Sequence, residues 1–219
     1  MQQLLQSLRK FEEVSLNSVC VGALVDISIA VGPALLPYAD AIMEVLHQAL
    51  TDAKSPRDIK PPIISAMGDV AMAIGGAFEP YMQVSMMLLM QASTQAAAHS
   101  DDMEFLNALR CSVFEAYTGI IIGMEDGGKI HLFAVHVSTI MQFMERIASE
   151  PDRDPVVVSR AVDLAGDIAR GMGSIPQVRQ QLQNQALVQL VQEAVQSPEP
   201  GLRESANVAK TALQRALQA

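Results

Sequence analysis

The feature that most constrains this chain is a recurrence. Four strongly apolar runs can be laid under one another on an acid: VGALVDISIAVG on Asp26, ISAMGDVAMAIG on Asp69, CSVFEAYTGIIIG on Glu115 and AVDLAGDIARGMG on Asp167. Their separations fall within or slightly beyond the ~40–47-residue period of two-helix HEAT or armadillo units. A unit of that size cannot bury its apolar face alone, so copies must stack and share one continuous core. Between the runs lie second helical patterns, at 33–50, 79–93, 131–148 and 176–195, whose apolar residues recur at three and four positions and form one wide stripe each. Polar stretches rich in turn formers and caps separate the two helices of a unit at 51–58, 94–102, 149–155 and 197–201. Pro61 and Pro62 fall in the first turn of a helix, where a missing N–H costs little.

These patterns predict an all-α chain, a HEAT-repeat α-solenoid in which antiparallel helix pairs stack with a right-handed superhelical twist. About four and a half repeats are expected in one solenoid: a partial unit over 1–32, then 33–76, 77–124, 130–173 and 176–219. The last helix, GLRESANVAKTALQRALQA, carries more charge and amide than the others, as a terminal face turned to water should. The first unit holds only the tail of a first helix, so the chain is expected to be the C-terminal part of a longer array. Composition agrees with helices: aromatics are 4% and Trp is absent, while Met and Ala are abundant. With half the residues hydrophobic, a disordered main state is excluded.

A formal charge of −9 argues against nucleic-acid binding and for a basic partner. Cys20 and Cys111 provide no disulfide framework and read as reduced, buried thiols of an intracellular protein. Residues 19–39 carry only one charge, Asp26, over about the length of a bilayer-crossing helix. Gly32-Pro33 and Pro37 interrupt that run and no basic residues flank it, so no membrane span is expected. The polar N-terminus lacks the apolar core of a signal peptide.

GMEDGGKI (123–130) fits the spacing of a phosphate loop, but Ile130 stands where Mg²⁺ binding needs Ser or Thr, and Glu125 and Asp126 would face the phosphates. The expected structure there is a helix end at Gly123 and a turn through Gly127-Gly128, with Lys129 outside any nucleotide site; Gly75-Gly76 reads as another helix stop. His131 and His136 have a poor helical spacing for a shared metal, and His47 and His99 stand alone. No Ser, Cys or Lys sits in a nucleophile motif, so neither an enzyme nor a cofactor is expected.

Equivalent positions of successive repeats stack in space. Asp26, Asp69, Glu115 and Asp167 are therefore expected as a column on the second-helix layer, where four acids in register suit a positively charged rod. The competing reading is local pairing, for instance with Lys60 or Arg170.

The stretches IKPPIISAMGDVAMAIGGAFEPYMQVSMMLLMQAS (59–93), FLNALRCSVFEAYTGIIIGM (105–124) and VDLAGDIARGMG (162–173) resemble the C-terminal HEAT repeats of the importin-β family of karyopherin nuclear import receptors. The resemblance spans nearly the whole chain. It implies a superhelical arm whose second helices grip the basic segment of the importin-α adaptor. It also implies a convex pocket for Phe-Gly nucleoporins, falling on Tyr38, Ile42, Val45 and Phe78. Tyr38 and Val45 depart from the family's Phe and Leu. Val208 stands where the family often carries a Trp that packs on the adaptor, which removes an aromatic anchor. Contacts with the Ran GTPase are implied mainly for repeats this chain lacks, and location in cytoplasm, nucleus and nuclear pore follows from the same resemblance. The alternative is a HEAT scaffold or adaptor subunit of another, non-catalytic kind.

Overall fold

The computed structural model describes residues 1–9, 14–97 and 102–218; His99 and part of the 94–102 loop lie outside them. Eleven α-helices are found among the described residues: α1 Gln2–Leu8, α2 Val14–Val31, α3 Ala39–Thr51, α4 Lys60–Ile74, α5 Glu79–Ala96, α6 Met103–Asp126, α7 Val137–Ala148, α8 Pro155–Met172, α9 Pro176–Leu182, α10 Gln185–Val195 and α11 Pro200–Gln218. They form the expected α-solenoid. The even-numbered helices α2, α4, α6 and α8, followed by α11, lie side by side as one layer; α1, α3, α5, α7 and the α9–α10 pair form the other.

The two layers differ because their helices have different numbers of neighbours. α7, in the outer layer, buries one stripe: Val137, Ile140, Met141, Phe143, Met144 and Ile147. α4 is flanked by α2, α6 and α3, and buries Pro61, Ile63, Ile64, Ala66, Met67, Gly68, Val70, Ala71 and Ile74. A helix covered on three sides must be apolar nearly all round, which is why the acid-bearing runs look so greasy. The strip left uncovered is narrow, and the acids sit on it. Aromatic rings tie α6 to the outer layer, with Phe114 4.9 Å from Phe143 and Tyr117 edge-on to Phe133 at 6.3 Å. Both Phe133 and Phe114 are wholly enclosed, a burial of about 2–3 kcal/mol each.

Polar caps set the helix starts. Asp102 Oδ1 accepts the Phe105 N–H, and Asp154 Oδ1 accepts those of Val156 and Val157, each at the entry of a second-layer helix. Two outer-layer patterns begin later than their apolar periodicity suggests, at α3 and α7, whereas α5 starts at Glu79 as expected. Gly32–Tyr38, Gly75–Phe78 and Ile130–His136 are tight 3-10 turns that precede α3, α5 and α7. In the first, Pro33 and Pro37 remove N–H donors an α-helix would need. The 176–195 pattern is two helices, because Asn184 accepts the N–H groups of Ala186 and Leu187 and starts α10 afresh.

Gly123 is a second correction: α6 runs through it to Asp126. Here glycine supplies closeness and not a stop. A methyl group on Gly123 would collide with the Ala71 carbonyl oxygen, and one on Gly68 would lie 2.7 Å from Ala116 Cα, so α4 and α6 touch backbone to backbone. By length and composition Leu16–Thr51, Arg57–Ala96 and Met103–Asp126 could each cross a membrane. In the solenoid the first two are interrupted by 3-10 turns, and the third buries Arg110 against Glu150.

Candidate partner-binding groove

The uncovered strips of four second-layer helices converge on one groove of about 440 Å³. α4 contributes Ser65, Asp69 and Met72; α6 contributes Glu115, Thr118, Gly119 and Ile122. α8 presents Arg160, Asp163, Gly166, Asp167 and Arg170, and α11 presents Ser205, Val208, Ala209 and Ala212. Within each helix these positions are three or four residues apart, the spacing of a single face. The floor is apolar and small, and the walls are charged.

Three of the four acids of the expected column meet here: Asp69, Glu115 and Asp167. Asp26 is exposed on α2 and does not line the groove. The column is also not a row of bare acids. Glu115 pairs with Arg160 at 3.0 Å and accepts a hydrogen bond from Ser65 at 2.9 Å. Asp167 pairs with Arg170 and accepts a hydrogen bond from Thr118. Local pairing with Arg170, one of the two readings open in the sequence, is what the structure shows at that position.

Asp69 differs from both. It has no hydrogen-bond or ion-pair partner among the described residues, and burial, reinforced by the Glu115 charge, pushes its carboxyl up to about 6. Burial also raises Asp167, opposed by the Arg170 charge. Asp163 is the groove's fourth acid, and it was not singled out in the sequence. The signal was available: Arg160, Asp163, Asp167 and Arg170 follow the i, i+3, i+7, i+10 order of one helix face.

Val208 is 59% exposed and lines both this groove and an adjoining depression with Arg170, Thr211 and Arg215. At the other end, Asp69 and Met72 border a depression with Ile29, Pro33 and Asp126. The groove thus shares Arg170, Val208 and Ala212 with the depression at one end and Asp69 and Met72 with the depression at the other.

The residues expected to form the convex pocket behave otherwise. Ile42, Val45 and Phe78 are at most 1% exposed and belong to the core between layers, so they pack helices together and do not form the walls of an open pocket. Only Tyr38, 48% exposed, reaches the surface. The phosphate-loop look-alike is likewise structural. Helix α6 precedes it where a strand would be needed, and Lys129 Nζ donates to the Gly76 carbonyl at 3.1 Å and pairs with Glu79 at 2.6 Å. Cys111 is held as a thiol, its pKa pushed up to about 11 by burial and by the nearby Glu115 and Asp154 charges. Among the described residues no three His, Cys, Asp or Glu side chains gather as a metal site.

Residues 1–195 match the family described as importin subunit beta-1-like, TPR repeats. The chain is 36% identical over 216 residues to importin subunit beta-1 of Arabidopsis thaliana, covering 96% of this chain and 24% of that protein. It is 33% identical to the importin subunit beta-1 of Schizosaccharomyces pombe, covering 74% of this chain and 19% of that one. Among solved structures, a crystal structure of importin beta superposes with a TM-score of 0.91 at 27% identity, covering 99% of this chain and 26% of the other. The Kap95:Nup1 complex superposes with a TM-score of 0.85 at 26% identity, covering 100% of this chain and 26% of the other. The chain thus spans about a quarter of the length of the relatives it matches.

Proposed function

The chain belongs to the importin subunit beta-1 family, and from that we propose that it is a non-catalytic arm of a nuclear import receptor that holds the basic segment of an importin-α adaptor in its concave groove. The observation that carries this is the convergence of Asp69, Glu115, Asp163 and Asp167 from three helices onto one trough. Carboxylates spaced along a trough suit the ammonium and guanidinium heads of a Lys/Arg-rich helix. Met72, Ile122, Val208 and Ala212 between them suit its aliphatic stems. Val208 gives a smaller contact than the Trp of the family pattern, so the α11 end holds the adaptor more weakly than it would with a Trp there.

Such a receptor works in cytoplasm and nucleus and passes the nuclear pore. Nucleoporin contact belongs to the proposal because the solved Kap95:Nup1 complex has this fold. On this chain it would use the outer layer with Tyr38 at the surface, the other three residues of the family pattern being core. Kap95 has also been solved with RanGDP, and we assign Ran contacts mainly to repeats beyond these.

The test is calorimetric titration of the chain with the N-terminal basic segment of importin-α at low and near-physiological salt, repeated for Asp69→Lys and Asp167→Lys. Affinity that falls steeply with salt and is lost on charge reversal is the expected result. Indifference to the peptide, or binding unaffected by both reversals, would point to a scaffold of another kind.

A further inference from the structure

Two of the acids in the docking groove are already taken. Arg160 Nε reaches across from α8 to Glu115 at 3.0 Å, and Arg170 pairs with Asp167 one turn earlier on its own helix. Asp69 and Asp163 carry no ion pair among the described residues. A cationic side chain arriving at Glu115 or Asp167 must therefore displace, or share with, a guanidinium that the chain itself supplies.

The fold also contains an arginine used purely for support, and the contrast is instructive. Arg110 is 3% exposed; it donates to the Ala96 carbonyl at 2.9 Å and to Asn107 at 3.2 Å, and takes both oxygens of Glu150. Every donor direction it uses is fixed by the core. Arg160 and Arg170 are 46% and 58% exposed, and among the described residues their ion pairs go to the groove's acids. The Arg160–Glu115 pair is open at both ends and adds little to folding stability; at Asp167, whose side chain is 12% exposed, only the arginine end is open, and there too the long guanidinium arm is free to swing outward. Their position does matter for a ligand, since they halve the groove's formal charge from four negatives to two.

We propose that Arg160 and Arg170 are internal competitors for the groove's basic partner: they occupy the Glu115 and Asp167 seats in the free protein and hold affinity below what the acids alone would give. This rests on the docking reading above. Under it Asp69 is the open seat where a cationic segment first engages, and the other two fill as each arginine is turned out. Adaptor segments of lower charge density are then rejected, because they gain too little to displace both arginines.

The experiment compares wild type, Arg160→Gln/Arg170→Gln and the charge-retaining Arg160→Lys/Arg170→Lys, each confirmed as folded by helical circular dichroism. Each is titrated with the importin-α N-terminal basic segment at two salt concentrations. The glutamine pair is expected to bind about five- to tenfold tighter than wild type, on the scale of an exposed ion pair per site, with a steeper salt dependence. The lysine pair should stay near wild type. Binding by the glutamine pair that is equal to or weaker than wild type, while Asp69→Asn weakens it, overturns the competitor role and makes the arginines spectators or contacts to the partner's acids. If wild type itself ignores the peptide, the docking reading falls first and this inference falls with it.

Discussion

Where α4 meets α6, backbone lies on backbone; where α6 meets α8, the same α6 faces its neighbour through long polar side chains. At the first joint Gly68, Gly119 and Gly123 leave no room for a single carbon. At the second, Arg160 spans to Glu115 and Thr118 to Asp167, and the space between becomes the groove. Close packing in one place is what makes an opening possible in the next. A helix locked on one side can hold its charged strip steady on the other, so the acids keep their spacing along the groove.

Substitutions can break this contrast or sharpen it. The largest effect is expected from Gly123→Ala, which drives a methyl into the Ala71 carbonyl and should destabilise the chain by about 3 kcal/mol in chemical denaturation. Gly171→Ala is its partner experiment at the open joint. There the new carbon crowds the flexible tip of Ile130 at 2.6 Å and meets the Glu125 carboxylate at an ordinary 3.6 Å, so the change should stay within about 1 kcal/mol, helped by better helix propensity. Equal losses at both sites would erase the distinction between the joints.

Arg110→Ala comes next. It strips Glu150 and the Ala96 carbonyl of their partner at the loop end of the open joint, and a loss of about 3 kcal/mol in the same assay is expected, against under about 0.5 kcal/mol for Arg160→Gln. Similar values for the two arginines would contradict their separate roles.

Asp69→Asn is a smaller effect and depends on pH. The folded chain binds the Asp69 proton more tightly than the unfolded chain, with a carboxyl raised to about 6 against an ordinary value near ~3.9. Stability from this group is therefore full below the unfolded value and drains away as pH rises towards 6. The amide should stabilise the chain by about 1 kcal/mol at neutral pH, after allowance for solvent screening of a half-buried group, and the gain should vanish near pH 4 in thermal melts. Peptide affinity of the wild-type groove should fall as pH drops through 6, since a cation favours the charged carboxyl. A gain that grows towards low pH would reverse the assignment.

The layered fold was legible in the sequence because stacking forces each repeat to show the same apolar face, and a repeated face is visible without coordinates. The acid column was legible in part for the same reason: Asp69, Glu115 and Asp167 occupy one strip. Their partners were harder to see, because Arg160 reaches Glu115 across 45 positions of chain, and no local spacing announces a contact between neighbouring units. Asp26 missed the groove although its run aligns with the others. Ile42, Val45 and Phe78 were assigned by family pattern, which carries residue positions but not exposure, and the packing of the two layers encloses them. The 3-10 turns escaped periodicity because a tight turn with the same apolar residues looks like the start of a helix.

Three corners share a backbone feature: Gly32, Gly75 and Gly128 have φ of 51°, 58° and 68°. Around Gly32 and Gly75 nothing crowds the vacant side-chain position, the nearest atom to Gly75 being the Gly123 carbonyl oxygen at 3.6 Å. Handedness alone, and not volume, bars other natural amino acids there. A mirror-image D-alanine installed by chemical ligation at these two corners has the backbone handedness they call for and should stiffen the unfolded chain, whereas its L-counterpart is strained there. The bends between stacked units could thus be reinforced with the one kind of residue ribosomes cannot supply.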